Sequence, residues 1–149
     1  MAVLRDRPYV QFNFLVDLGN GTEGPDAGFQ EISEIGMEVT VSEYRNGNER
    51  ENSVRKITGL NKSSDVTLKR GVIGSLSLYQ WLDQIRNGDQ NAMRDVVISL
   101  QNEDHTAVVQ TWKLFRARIT LHNSGTFNAK GTDVAIETMR LTYERLEME

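Results

Sequence analysis

The sequence predicts a mainly β fold: a small antiparallel β-barrel or sandwich of about eight strands with one flanking α-helix. Three observations carry this. Short runs with a period of two recur along the chain, separated by clusters of Gly, Asn, Asp and Ser. Only one stretch, inside residues 57–88, has the three-and-four spacing of an amphipathic helix. The 149 residues make a single domain, 1–149, with a core large enough to need no disulfide, and there is no cysteine.

Residues 9–17 (YVQFNFLVD) alternate, with Val10, Phe12, Phe14 and Val16 opposite Gln11 and Asn13, as a half-buried strand does. Residues 19–28 (GNGTEGPDAG) form a turn-rich connection, and residues 29–33 a short strand. Residues 36–44 alternate again, Met37, Val39 and Val41 against Glu38, Thr40 and Ser42. The pattern then stops. Residues 45–61 (RNGNERENSVRKITGLN) hold only Val54, Ile57 and Leu60 as large apolar side chains. A stretch this long without a period is unusual inside a compact domain and is commonly functional. It reads as an arm, an extended hairpin that leaves the domain and orders against a neighbour.

A strand at 64–69 follows, then a turn at Arg70-Gly71 and the helix. Leu78, Trp81, Leu82 and Ile85 make its apolar stripe, with Ser75 as the expected cap and Gly88 as the left-handed stop. Residues 95–101 bury Val96, Ile98 and Leu100, and residues 101–105 turn. Residues 107–121 are too long for one flat strand and change phase. Val108, Trp112 and Leu114 share one face, and Phe115, Ala117, Ile119 and Leu121 the other. A bulge or bend near Leu114-Phe115 reconciles the two, as at a barrel corner. A second loop covers 123–131, and residues 134–144 are a strong strand with Met139, Leu141 and Tyr143 inward.

Composition excludes several functions. No apolar run approaches the ~20 residues of a membrane span, and Arg5, Asp6 and Arg7 occupy the place of a signal peptide's apolar core. Synthesis in a cytoplasm and no membrane anchor are the expectations. The net charge of −4 is against a general nucleic-acid binder, yet residues 44–70 carry seven basic side chains against three acids. That segment is +4 and the rest −8. Opposite patches of this kind orient association between copies. His105 and His122 lack a third ligand at recognisable spacing and read as surface histidines. Gly19-Asn20-Gly21 and the 71–74 stretch lack the Gly-Lys-Ser/Thr of a phosphate loop. No catalytic, metal or cofactor residue is expected. The two tryptophans, Trp81 and Trp112, read as core.

Five segments together resemble a known family: LRDRPYVQFNFLV at 4–16, ISEIGMEVTVSEYRNG at 32–47, VRKITGLNKSSDVTLKRGV at 54–72, the helix LSLYQWLDQIRNG, and VAIETMRLTYERLE at 134–147. They are similar to the tail tube proteins of contractile phage tails, and to the inner tube proteins of phage-tail-like contractile injection systems. The resemblance covers nearly the whole chain in order; the 19–28 connection is longer and more polar than the tight turn expected there. It implies an Hcp-like β-barrel, as in the type VI secretion tube protein, and hexameric rings that stack into a rigid hollow tube. Sheath contraction would drive that tube through a target envelope, with cargo or DNA in the lumen.

The implied partners are other copies of the chain, the contractile sheath protein, baseplate or spike, and tube-terminating proteins. The implied location is an extracellular or cytoplasmic phage-tail-like particle or virion tail. Tyr44, Arg45, Arg50, Arg55, Lys56, Leu60, Lys62, Lys69 and Arg70 are the candidate inter-subunit residues. Three other readings stay open: a tube initiator or baseplate protein of the same fold, a monomeric ligand-binding β-barrel, and a hydrolase on a β scaffold.

Overall fold

The computed structural model describes residues 2–19 and 28–149. Among these residues nine strands and one helix follow one another: β1 (Phe14–Asp17), β2 (Glu31–Ile32), β3 (Met37–Tyr44), β4 (Arg55–Ser63), β5 (Val66–Gly71), α1 (Ser77–Arg86), β6 (Arg94–Gln101), β7 (Val108–Ser124), β8 (Ile136–Thr142) and β9 (Arg145–Met148). All pairings are antiparallel. Seven strands form one sheet in the order β1-β6-β7-β8-β5-β2, with β9 added to β7; β3 and β4 form a separate pair. Most of the expected 19–28 connection lies outside the described residues.

The long strand β7 organises this arrangement. Its first half pairs with β6 and β9, and its second half with β8. The phase change read in the sequence is a bulge. The step from Arg94 to Val96 on β6 matches the longer step from Ala117 to Leu114 on β7. Arg116, in the bulge, takes the left-handed conformation at φ 53°. The extra residue lets Leu114 and Ala117, an odd number apart, both point into the core. The sheet therefore folds over on itself and encloses Val66, Leu68, Val96, Ile98, Leu114, Ile119, Met139, Leu141 and Tyr143.

The helix closes this core from the side of β7. Leu78 and Trp81 are buried, and Leu82 and Ile85 pack against them. Trp81 Nε1 donates to Ala92 O at 2.8 Å, and the Arg94 guanidinium lies 4.4 Å from the indole. Trp81→Ala removes all of this and is expected to cost ~3–5 kcal/mol, a melting temperature lower by about 10 °C for a chain of this size in thermal unfolding followed by circular dichroism. The capping expectation needs correction. The helix begins at Ser77 after Leu76, with no side-chain cap, and Ser75 Oγ accepts from the Ser77 N–H at 3.3 Å instead. The stop is as read: Gly88 sits at φ 90° and its N–H donates to Ile85 O.

Two other boundaries move. β5 runs straight through Arg70-Gly71, and the chain turns only afterwards, at Gly74 with φ 79°. The first strand is shorter than its alternation suggests, because residues 2–13 follow a different path. Arg5 donates to the Glu103 carboxylate at 2.5 and 3.0 Å and to the carbonyls of Arg7 and Pro8, and covers the Tyr9 ring at 3.7 Å. Asn13 is buried, donating to Asn102 O and Glu103 O, while Phe12 is left exposed.

The bonds from Arg5 hold the Glu103 carboxyl down at about 2. A carboxylate lowered in the folded state contributes stability above its unfolded value, about 4.3, and loses it as pH falls toward 2. NMR titration of Glu103 is expected to give a midpoint near 2. A midpoint near the unfolded value would mean that the clasp is not formed.

Candidate functional site

The feature that the core does not explain is the β3–β4 hairpin. Its register runs from Met37↔Ser63 at the root to Tyr44↔Arg55 near the tip. Side chains paired across the two strands share a face. One face carries Met37, Val39 and Val41 with Ser63, Asn61 and Thr58; the other carries Glu38, Ser42 and Tyr44 with Lys62, Ile57 and Arg55. The register slips between Val39 and Val41, so that Gly59 and Leu60 together oppose Thr40. Glycine leaves room there, since a Cβ at residue 59 would stand 2.9 Å from Thr40 Oγ1 and displace it. Leu60 is thrown outward and is 82% exposed.

Both faces therefore carry apolar side chains among polar ones, and among the described residues nothing covers them. Met37, Val39, Val41, Tyr44, Ile57 and Leu60 are all exposed. An isolated two-stranded ribbon is marginal in water, and an uncovered apolar surface of this extent marks a place where another molecule sits. The sequence read the arm as 45–61; the projecting unit is 37–63, because β3 belongs to it too. The apolar alternation of β3 looks like that of a core strand, and only its partner strand reveals that nothing lies beneath it.

The tip is held by its own polar groups. Arg45 donates to Glu49 O at 2.8 Å and Glu51 O at 2.9 Å, Arg55 pairs with Glu49 at 3.1 Å, and Tyr44 donates to Asn46 Oδ1 at 2.5 Å. Arg45 thus shapes the tip and is not displayed, whereas Arg50, Lys56, Leu60 and Lys62 are exposed along the hairpin.

The last two candidates lie elsewhere. Lys69 is half-exposed on β5 and 3.9 Å from Glu31. Arg70 is only 1% exposed and its Nε donates to Glu137 Oε1. His122 Nε2 lies 3.1 Å from the other oxygen of Glu137. These three residues form a buried polar bridge between β5, β8 and β7. Two expectations are corrected here: Arg70 is a core group, and His122 is not a lone surface histidine. Neither was visible in the sequence, because the pairing is across strands more than ten residues apart. His105 is exposed, in a turn at φ 59°. Among the described residues, no three His, Cys, Asp or Glu side chains gather as a metal site.

The family model for the T4-like virus tail tube protein gp19 matches residues 10–147. This chain belongs to that tail tube family. It is similar, with 28% identity and a TM-score of 0.82, to a chain of the PVC extracellular contractile injection system sheath–tube complex in its extended state, over 95% of this chain and 91% of that one. A chain of the anti-feeding prophage tube-terminating cap matches with 26% identity and a TM-score of 0.84, over 100% of this chain and 95% of that one. Hcp1 from Flavobacterium johnsoniae, at 12% identity and a TM-score of 0.55 over 92% and 94%, shares the fold alone. No curated protein sequence matches. The tail tube protein's mainly β fold, single helix and Hcp-like form agree with what its sequence predicts.

Proposed function

We propose that this tail tube protein is the inner tube subunit of a contractile injection system or phage tail, a structural part with no reaction of its own. Copies form six-membered rings, the rings stack into a hollow tube, and a contracting sheath drives the tube through a target envelope. Cargo or DNA travels in the lumen. Sheath, baseplate and cap proteins are the further partners, and the particle is assembled from chains made in the cytoplasm.

The observation that carries this reading is the hairpin at 37–63, with apolar side chains on both faces and nothing among the described residues to cover them. Among the described residues the sheet also ends at the strands β1 and β2, whose outer edges pair with no further strand there. A symmetric assembly repeats each modest contact many times, at ~25 cal/mol per Å2 of apolar surface buried. Arg50, Lys56, Lys62, Tyr44 and Leu60 are the contact residues of this reading, joined by Val39, Val41 and Ile57. Negative-stain microscopy and sedimentation of the purified protein test it. Rings and tubes are the expected result; a single species that stays monomeric at high concentration overturns it.

A second reading is a tube-end component of the same machine. It draws on the similarity to chains of the anti-feeding prophage baseplate, with 28% identity, and of its cap. Assembly that stops at one ring would favour it.

A further inference from the structure

The face of the sheet turned away from the core has two halves of different electrostatic character. On the half built from β9 and the first part of β7, cations have acids as partners. Lys113 pairs with Glu149 at 2.8 Å, Arg145 with Glu147 at 2.7 Å, and Arg116 with Glu144. The half built from β5, β8 and the second part of β7 is different. Leu68, Ile119, Met139 and Leu141 are buried there, so their chain neighbours Lys69, Arg118 and Arg140 point outward.

The register sets these three cations on one line. Lys69 lies opposite Thr138, Arg140 opposite Thr67, and Arg118 opposite Thr142. Each is displaced by two residues along β8 from the next, a diagonal step of about 7–8 Å. Arg140 is exposed and pairs with no acid among the described residues. Arg118 Nη2 donates to Met93 Sδ at 3.1 Å, a weak acceptor that leaves its charge unbalanced. Lys69 has only Glu31, at 3.9 Å on the surface, where such a pair is worth little. Thr67, Thr138, Thr142 and Asn123 flank the line, with Leu121 as the apolar member.

We infer that the stripe Lys69–Arg140–Arg118 is a contact surface for the phosphodiester backbone of a nucleic acid. The inference rests on the tube reading above, which leaves the load of the lumen open, and names the chemistry of that load. Guanidinium forks match phosphate oxygens, and threonine and asparagine side chains add neutral donors to them. An acidic protein segment suits this face less well. A bound polypeptide strand needs an open sheet edge or side-chain pockets, and β8 is already bonded on both sides, by β5 and β7. The chain as a whole carries −4, so the contact is weak, independent of base sequence and confined to the stripe. The bases of the hairpin are no substitute. Lys62 lies opposite Glu38, Lys56 opposite Glu43, and Arg55 is 3.1 Å from Glu49.

Fluorescence anisotropy of a labelled single-stranded oligothymidylate at low salt tests the inference on the full chain, polymerised or not. Binding is expected. Lys69→Gln with Arg118→Gln and Arg140→Gln should weaken it about tenfold and reduce the slope of log affinity against log salt by about 2. Arg140→Gln alone changes an exposed side chain. It should weaken binding about threefold at an unchanged melting temperature, so a folding defect in the triple variant leaves the test standing. No binding by the unsubstituted protein, or undiminished binding by both variants, overturns the inference. So does an equal loss in Lys56→Gln with Lys62→Gln. Displacement by polyglutamate as readily as by unlabelled oligothymidylate also overturns it and assigns the stripe to an acidic protein segment. Tubes that form from a chain with no affinity for the oligonucleotide remove the stripe alone; binding without tubes removes the tube reading alone.

Discussion

Replacing residues 39–61 by two glycines is expected to leave a folded domain that has lost the ability to make tubes. Glu38 and Lys62 are directly paired across the hairpin, so a two-residue turn can join them without straining the root. The hairpin contributes none of the side chains enclosed by the main sheet. Its removal should therefore move the melting temperature by no more than a few degrees, as measured by circular dichroism, where 1 kcal/mol corresponds to about 2–4 °C. Electron micrographs supply the functional readout, and the expected change is all-or-none. Tubes of ordinary length in the shortened protein would show that the uncovered faces are not an assembly device.

The second large effect belongs to the buried bridge. Glu137→Ala takes the carboxylate from a guanidinium that is out of solvent, and breaking a buried pair from one side costs ~3–5 kcal/mol. The melting temperature should fall by about 10 °C. Replacing both members together, Arg70→Met with Glu137→Leu, removes the buried charge as well as its partner and should recover much of that loss. A double variant as unstable as Glu137→Ala would mean that the bridge is worth more as a pair than an apolar filling of similar size. His122 should then be studied as its third member, since it holds the second oxygen of Glu137.

Burial explains why the two regions differ so much in how legible they are. Strand periodicity records which face of a chain is apolar, and it records this equally for Met139 in the core and for Val39 in the open. Nothing in the local pattern says what covers that face. The separation appears in β4, where Ile57 and Leu60 break the alternation and the basic residues cluster. That irregularity marked the arm, but its boundary was set too late because β3 looks regular. The paired charges tell the same story. Arg70 and Glu137 are 67 residues apart, and a lone arginine beside a run of other basic residues reads as part of a surface patch. Only the register of β5 on β8 brings them opposite each other.

The sequence by itself determined the mainly β class, the position and stop of the one helix, a bulge or bend near Leu114-Phe115 and the irregular stretch at 45–61. Each of these follows from local spacing: a period of two, a three-and-four stripe, a change of phase, or a loss of period. Tertiary structure alone decided where β3 belongs and that Arg70 is interior. Those facts depend on strand order and register, which are fixed by contacts between residues far apart in the chain.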